Sequence, residues 1–91
     1  MAIACVFDCP GMTAQQYDQI VQSLDDHGHY PAHGRLYHVA SATPEGCMVV
    51  EVWDSEDSWN DFTGFLQESG EEVGILPPAP RVFPVHNILT Q

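Results

Sequence analysis

Ninety-one residues, 44% of them hydrophobic and 10% aromatic, are expected to make one globular domain over 1–91 and exclude wholesale disorder. Thirteen acidic residues stand against two basic ones, with no lysine and a formal charge of −11, which argues against nucleic acid or an anionic membrane as partner. No stretch nears the roughly 20 apolar residues of a membrane span. MAIACVF lacks the basic start of a signal peptide, and three cysteines without a CxxC pair suit a reducing cytoplasm.

Residues 2–7, AIACVF, are apolar on both faces and predict a central strand, ended by the loop signal Asp8-Cys9-Pro10-Gly11. Cys9 in that loop is a candidate reactive thiol, while Cys5 and Cys47 read as small packed hydrophobes. Thr13 with Gln16 makes a capping box that opens a helix. Tyr17, Ile20, Val21 and Leu24 form its apolar stripe, and Gly28 is expected just past its end.

His29 to Gly34 reads as a loop. Residues 35–42 and 47–53 then form two strands around the turn Thr43-Pro44-Glu45-Gly46. Asp54 or Ser55 caps a second helix whose inward face is Trp59, Phe62 and Leu66, with Gly70 as its stop. Residues 73–80 are a proline-rich connection, and residues 81–89 a last strand that Pro84 confines to an edge.

The order β-α-β-β-α-β predicts a ferredoxin-like α+β fold: a four-stranded antiparallel sheet with both helices on one face, strands 1 and 3 central. Both alternation sets of the hairpin are mostly apolar: Leu36, Ala40, Val49 and Trp53 on one, Tyr37, Val39, Val50 and Val52 on the other. The helices cover one face only, so the other is expected to meet a second copy in a homodimer.

The hairpin register carries the sharpest chemical expectation. A two- or four-residue turn sets His38 opposite Glu51 and Leu36 opposite Trp53. A carboxylate beside an imidazole fixes its tautomer and raises its basicity, which is how a general base is built. A satisfied His–Glu pair within the sheet or at a dimer seam is the plain alternative. Tyr17 is placed to reach over the sheet with its hydroxyl, or else to serve as core. Of His86 and Asn87, neighbours on a strand, only one can share a pocket with His38. His27, His29 and His33 lie in one loop, which is a solvated loop, a lid, or a weak metal candidate. No phosphate loop, GxSxG or HExxH is present, and a chain without lysine forms no Schiff base.

The chain resembles the dimeric α+β barrel superfamily, and within it the small proteins related to antibiotic-biosynthesis monooxygenases. The resemblance runs from Gly11-Met12-Thr13 and Tyr17-Asp18, through His38 and the stretch VASATPEGCMVVEVWDSEDSWNDF that follows it, to the closing PVHNIL. It implies a two-sheet barrel dimer with ligand pockets between sheet and helices. Residues 55–69 contain no histidine, unlike the haem-degrading branch with its iron ligand on the second helix. The cofactor-free oxygenases of the superfamily deprotonate acidic aromatic polyketides that then react with O₂.

These readings combine into a first expectation: a cofactor-independent monooxygenase, cyclase or isomerase acting on a small, partly hydrophobic or aromatic molecule. It assigns no cofactor and no metal. His38 is the general base, oriented by Glu51, with Tyr17 or His86 hydrogen-bonding the substrate. Trp53, Trp59, Phe62 and Asn87 line the pocket. The second expectation is a non-catalytic binding or accessory protein of the same fold.

Overall fold

A computed structural model describes residues 1–90. Its elements run β1 (Ile3–Pro10), α1 (Ala14–Asp26), β2 (Arg35–Thr43), β3 (Gly46–Trp53), α2 (Glu56–Val73) and β4 (Arg81–Pro84). They form one antiparallel sheet in the order β2-β3-β1-β4, so β1 and β3 are central and β4, with Pro84, is an edge. This is the ferredoxin-like α+β arrangement expected from the element order.

Each helix begins where its cap allows. Thr13 accepts from the Gln16 backbone N–H, and the Gln16 side chain accepts from the Thr13 N–H, so the box satisfies two first-turn donors. Ser55, not Asp54, caps α2. Glu56 and Asp57 then place negative charge at its positive end.

Gly70 does not stop α2. The helix continues to Val73, and Gly74, in the left-handed region at φ +77°, closes it. Gly70 is buried, and its bareness serves packing. A Cβ there would collide with the Ile75 carbonyl oxygen and with Pro77, so the strap that follows the helix lies directly on its last turns.

The core is one cluster between sheet and helices. Ile3, Cys5, Phe7 and Cys9 come from β1, Cys47, Val49 and Trp53 from β3, Ile20 and Leu24 from α1, and Trp59 and Phe62 from α2. The period of two along β1 and β3 and the helical stripes of α1 and α2 therefore meet on one sheet face. Cys9 is a β1 residue buried in this cluster rather than a loop thiol. Burial, then the neighbouring Cys47 and Asp8, raises its pKa, which makes it inert rather than reactive.

The opposite face is left uncovered by the described residues. Val39 is 57% exposed, Phe83 49% and Tyr37 44%.

The strand ends depart from the expected ladder in two places. A register irregularity between Arg35 and Tyr37 pairs Arg35, not Leu36, with Trp53, and leaves Leu36 half exposed. This is a β-bulge, which re-aims one side chain at the cost of one unpaired residue. The last strand stops at Pro84, with one further bond from the Val85 N–H to the Ala2 carbonyl, so residues 86–89 lie beyond the sheet.

Candidate active site

The register sets His38 opposite Glu51, and the two side chains meet: His38 Nδ1 lies 2.6 Å from Glu51 Oε2. Glu51 sits in the middle of a central strand, with only 5% of its side chain exposed. Burial of a carboxylate at that depth is tolerable only with full hydrogen bonding. Trp53 Nε1 donates to Oε1 at 3.1 Å, and Arg35 Nη1 donates to Oε2 at 3.2 Å alongside the imidazole. The bulge brings that guanidinium to the carboxylate, since Arg35 takes the position opposite Trp53.

The third member comes from α1. Tyr17 follows the cap by one helical turn, its N–H bonded to the Thr13 carbonyl. Its hydroxyl reaches His38 Nε2 at 2.5 Å. In the neutral imidazole the Glu51 carboxylate takes the Nδ1 N–H, which leaves a lone pair at Nε2 to which the tyrosine hydroxyl can donate. Burial raises the pKa of the Tyr17 hydroxyl, opposed by the positive Arg35 nearby. The resting hydroxyl therefore keeps its proton.

This chain of groups opens on a cavity of about 220 Å³ between sheet and helices. Tyr17, Arg35, His38 and Glu51 supply its polar wall. Phe7, Val49, Phe62 and Leu66 supply part of its apolar wall, and Tyr30, Pro77 and Pro78 also line it. A second cavity of about 400 Å³ adjoins it and shares Phe7, Leu66, Pro77 and Pro78.

Tyr17, His38, Glu51 and Phe62 thus meet at one cavity; the other sequence candidates do not. Trp53 is fully buried and holds Glu51 from behind rather than facing the cavity. Trp59 lines the second cavity. His86 and Asn87 are exposed beyond the end of β4 and line neither. Arg35, Tyr30 and the two prolines were missed by the sequence reading. A chain with two arginines offered one signal, since a lone cation at the start of a strand next to a buried carboxylate is worth pairing.

The histidine loop is dispersed in its contacts. His27 Nε2 meets Glu72 at 2.6 Å, and that hydrogen bond raises its pKa. His29 stacks on Phe65 with centroids 3.8 Å apart, and His33 is exposed. Among the described residues no three His, Cys, Asp or Glu side chains are grouped to hold a metal ion.

No protein-family model matches the chain, and no curated relative does. Solved structures match its fold. SnoaB, a cofactor-independent oxygenase from Streptomyces nogalater solved as a mutant, aligns with a TM-score of 0.61 at 14% identity, over 99% of this chain and 96% of that one. A monooxygenase from the gene ActVA-Orf6 of Streptomyces coelicolor, in complex with nanaomycin D, aligns at 0.51 and 20% identity, over 99% and 92%. A Chloroflexus aurantiacus protein named for antibiotic biosynthesis monooxygenase aligns at 0.54 and 21%, over 96% and 94%. The chain therefore has the fold of antibiotic-biosynthesis-monooxygenase-like proteins. At these identities the likeness speaks for the fold alone.

Proposed function

We infer that this protein is a cofactor-independent enzyme that takes a proton from a small, partly aromatic molecule held between sheet and helices. The observation that carries this reading is the continuous chain Tyr17–His38–Glu51, which ends on the cavity. The substrate proton passes to the Tyr17 oxygen as the tyrosine proton moves to His38 Nε2. The imidazolium so formed faces the Glu51 carboxylate, which stabilises it. The substrate is left as a carbanion or enolate, which goes on to oxygenation with O₂, to cyclisation or to isomerisation. The neighbours in fold, named as monooxygenases, support the first of these.

The cavity limits the molecule. Its volume of about 220 Å³ falls below the roughly 300–1,000 Å³ of drug-sized sites, so one or two rings fit and a larger body extends past the proline strap.

The test is exchange of the acidic C–H protons of 2-tetralone into D₂O, followed by NMR, with oxygen uptake measured in parallel. Wild type accelerates exchange and His38→Ala does not. Exchange at the background rate with wild type rules the enzyme reading out.

A non-catalytic binding protein is the second reading. The small cavity and the engagement of both imidazole nitrogens favour it. It predicts saturable ligand binding that His38→Ala leaves intact, with no exchange.

The uncovered sheet face supports a homodimer. Val6, Val50 and Val52 sit at its centre, with Tyr37, Val39 and Phe83 around them. Two such faces packed together remove this patch from water, as the dimeric barrel arrangement requires. Sedimentation equilibrium gives twice the chain mass on this view, and Val50→Lys gives the monomer. The buried, unpaired state of Cys5, Cys9 and Cys47 suits a reducing cytoplasm, and no helix among the described residues is long and apolar enough to cross a membrane.

A further inference from the structure

Arg35 stands out among the cavity residues because its chemistry is mostly unspent. Glu51 has both oxygens occupied: Oε1 by Trp53, Oε2 by His38 and Arg35. Arg35 gives one N–H to that carboxylate, and a guanidinium carries five. Its side chain is 13% exposed and lines the cavity. Nε and Nη2 make no hydrogen bond within the described residues, and neither is sealed from solvent, so the guanidinium has donors to spare where it lines the cavity.

Three rings hold the group in place. Its Cζ lies 5.9 Å from the Tyr30 centroid, 5.9 Å from Trp53 and 5.7 Å from Phe62. Ringed and paired in this way, the fork loses little freedom when it takes a further acceptor.

The charge balance sharpens the point. The chain has two permanent cations, and Arg81 is exposed on the far side of the sheet beside Asp8. In a molecule of net charge −11, Arg35 is therefore the single guanidinium at the cavity.

We propose that Arg35 is the recognition residue of this cavity, and that the ligand it takes carries an anionic oxygen, as phenolate, enolate or carboxylate, on an apolar ring body. The inference rests on the cavity being a ligand site and deepens the enzymatic reading by naming the substrate class. The spare donors form a charge-assisted, forked contact with the oxygen. Phe62 and Val49 cover the ring. An enolate formed next to Tyr17 gains from the same positive charge, so Arg35 favours the deprotonated molecule over the neutral one.

The experiment compares two naphthoquinones by quenching of tryptophan fluorescence: 2-hydroxy-1,4-naphthoquinone, ionised at neutral pH, and its neutral 2-methoxy counterpart. Wild type is expected to bind the anion at least tenfold more tightly. Arg35→Gln loses that preference while its affinity for the methoxy compound stays within about twofold. Arg35→Lys retains part of it, because the charge remains and the fork is lost. If Arg35→Gln fails to fold, the wild-type preference and the lysine variant still decide the matter.

Equal affinity of wild type for the two compounds, binding of neither at millimolar concentration, or a preference unchanged in the variants overturns the proposal. A protein that shows the preference for the anion and no proton exchange keeps Arg35 in its role and loses the enzymatic reading, so the two failures are separable.

Discussion

Tyr17 on α1 and His38 on β2 meet at 2.5 Å although they stand 21 positions apart in the chain, and the same imidazole is held from its other side by Glu51. Helix and strand thus contribute to one hydrogen-bonded line that ends on the cavity. If the proton travels this line, the two side chains act as a unit. Tyr17→Phe and His38→Ala each lower turnover about 10²–10⁴-fold, the usual range for general acid–base catalysis. The double variant is then no slower than the worse single one. Losses that multiply indicate independent roles and break the relay.

Glu51 makes the clearest stability prediction. Removal of its carboxylate in Glu51→Ala leaves the Arg35 charge, the Trp53 N–H and the His38 N–H without their acceptor. Breaking a buried ion pair from one side costs about 3–5 kcal/mol. Urea unfolding monitored by circular dichroism measures this. Glu72→Ala, which breaks the exposed pair with His27, leaves the midpoint almost where it was, because exposed pairs contribute little.

The hairpin register was legible because a short turn between alternating strands admits few pairings, and the Thr13 box was legible because capping is local chemistry. His38, Glu51 and Tyr17 follow from those two facts. Arg35 was not legible. Its inward aim depends on the bulge at Leu36, and a bulge arises from how a ladder starts, which composition does not report. Trp53 was misplaced for a related reason. A wide aromatic beside a carboxylate reads as pocket wall, but its own N–H is needed to satisfy Glu51, and this fixes the ring in the core. His86 and Asn87 fell outside the site because the last strand ends at Pro84.

Alkaline pH should destabilise the fold through Cys5. Burial first, and the Glu51 charge second, push its thiol from the ordinary 9.0 up to about 11. Between those two values the unfolded chain has lost the thiol proton and the folded chain has kept it. The stability contributed by the raised pKa is therefore complete below about pH 9 and falls as pH climbs towards 11, by about 2–3 kcal/mol. Tyr17, also raised, acts in the same direction. Cys5→Ala costs on the order of 1 kcal/mol at neutral pH for the lost packing, and its stability then declines less steeply above pH 9. Parallel curves for the two proteins from pH 8 to 11 contradict the assignment.

Two glycines of α2 should respond to alanine with opposite signs. At Gly64 an added Cβ meets nothing within 4 Å. The position is exposed and helical, so Gly64→Ala stabilises by about 0.5–1 kcal/mol through lower entropy of the unfolded chain. At Gly70 the same methyl collides with the Ile75 carbonyl oxygen and Pro77. Neither neighbour is a flexible side-chain end, since one is backbone and the other a ring fixed to it. Gly70→Ala therefore either strains the last turns of the helix or lifts the strap, at about 1–3 kcal/mol. Pro77 walls both cavities, so a lifted strap also loosens ligand binding while the Tyr17–His38 contact stays in place. Thermal unfolding of the two variants checks the signs, and naphthoquinone affinity of Gly70→Ala checks the strap. Equal shifts at the two positions would mean that helix propensity alone governs α2 and that residues 75–77 do not rest on it.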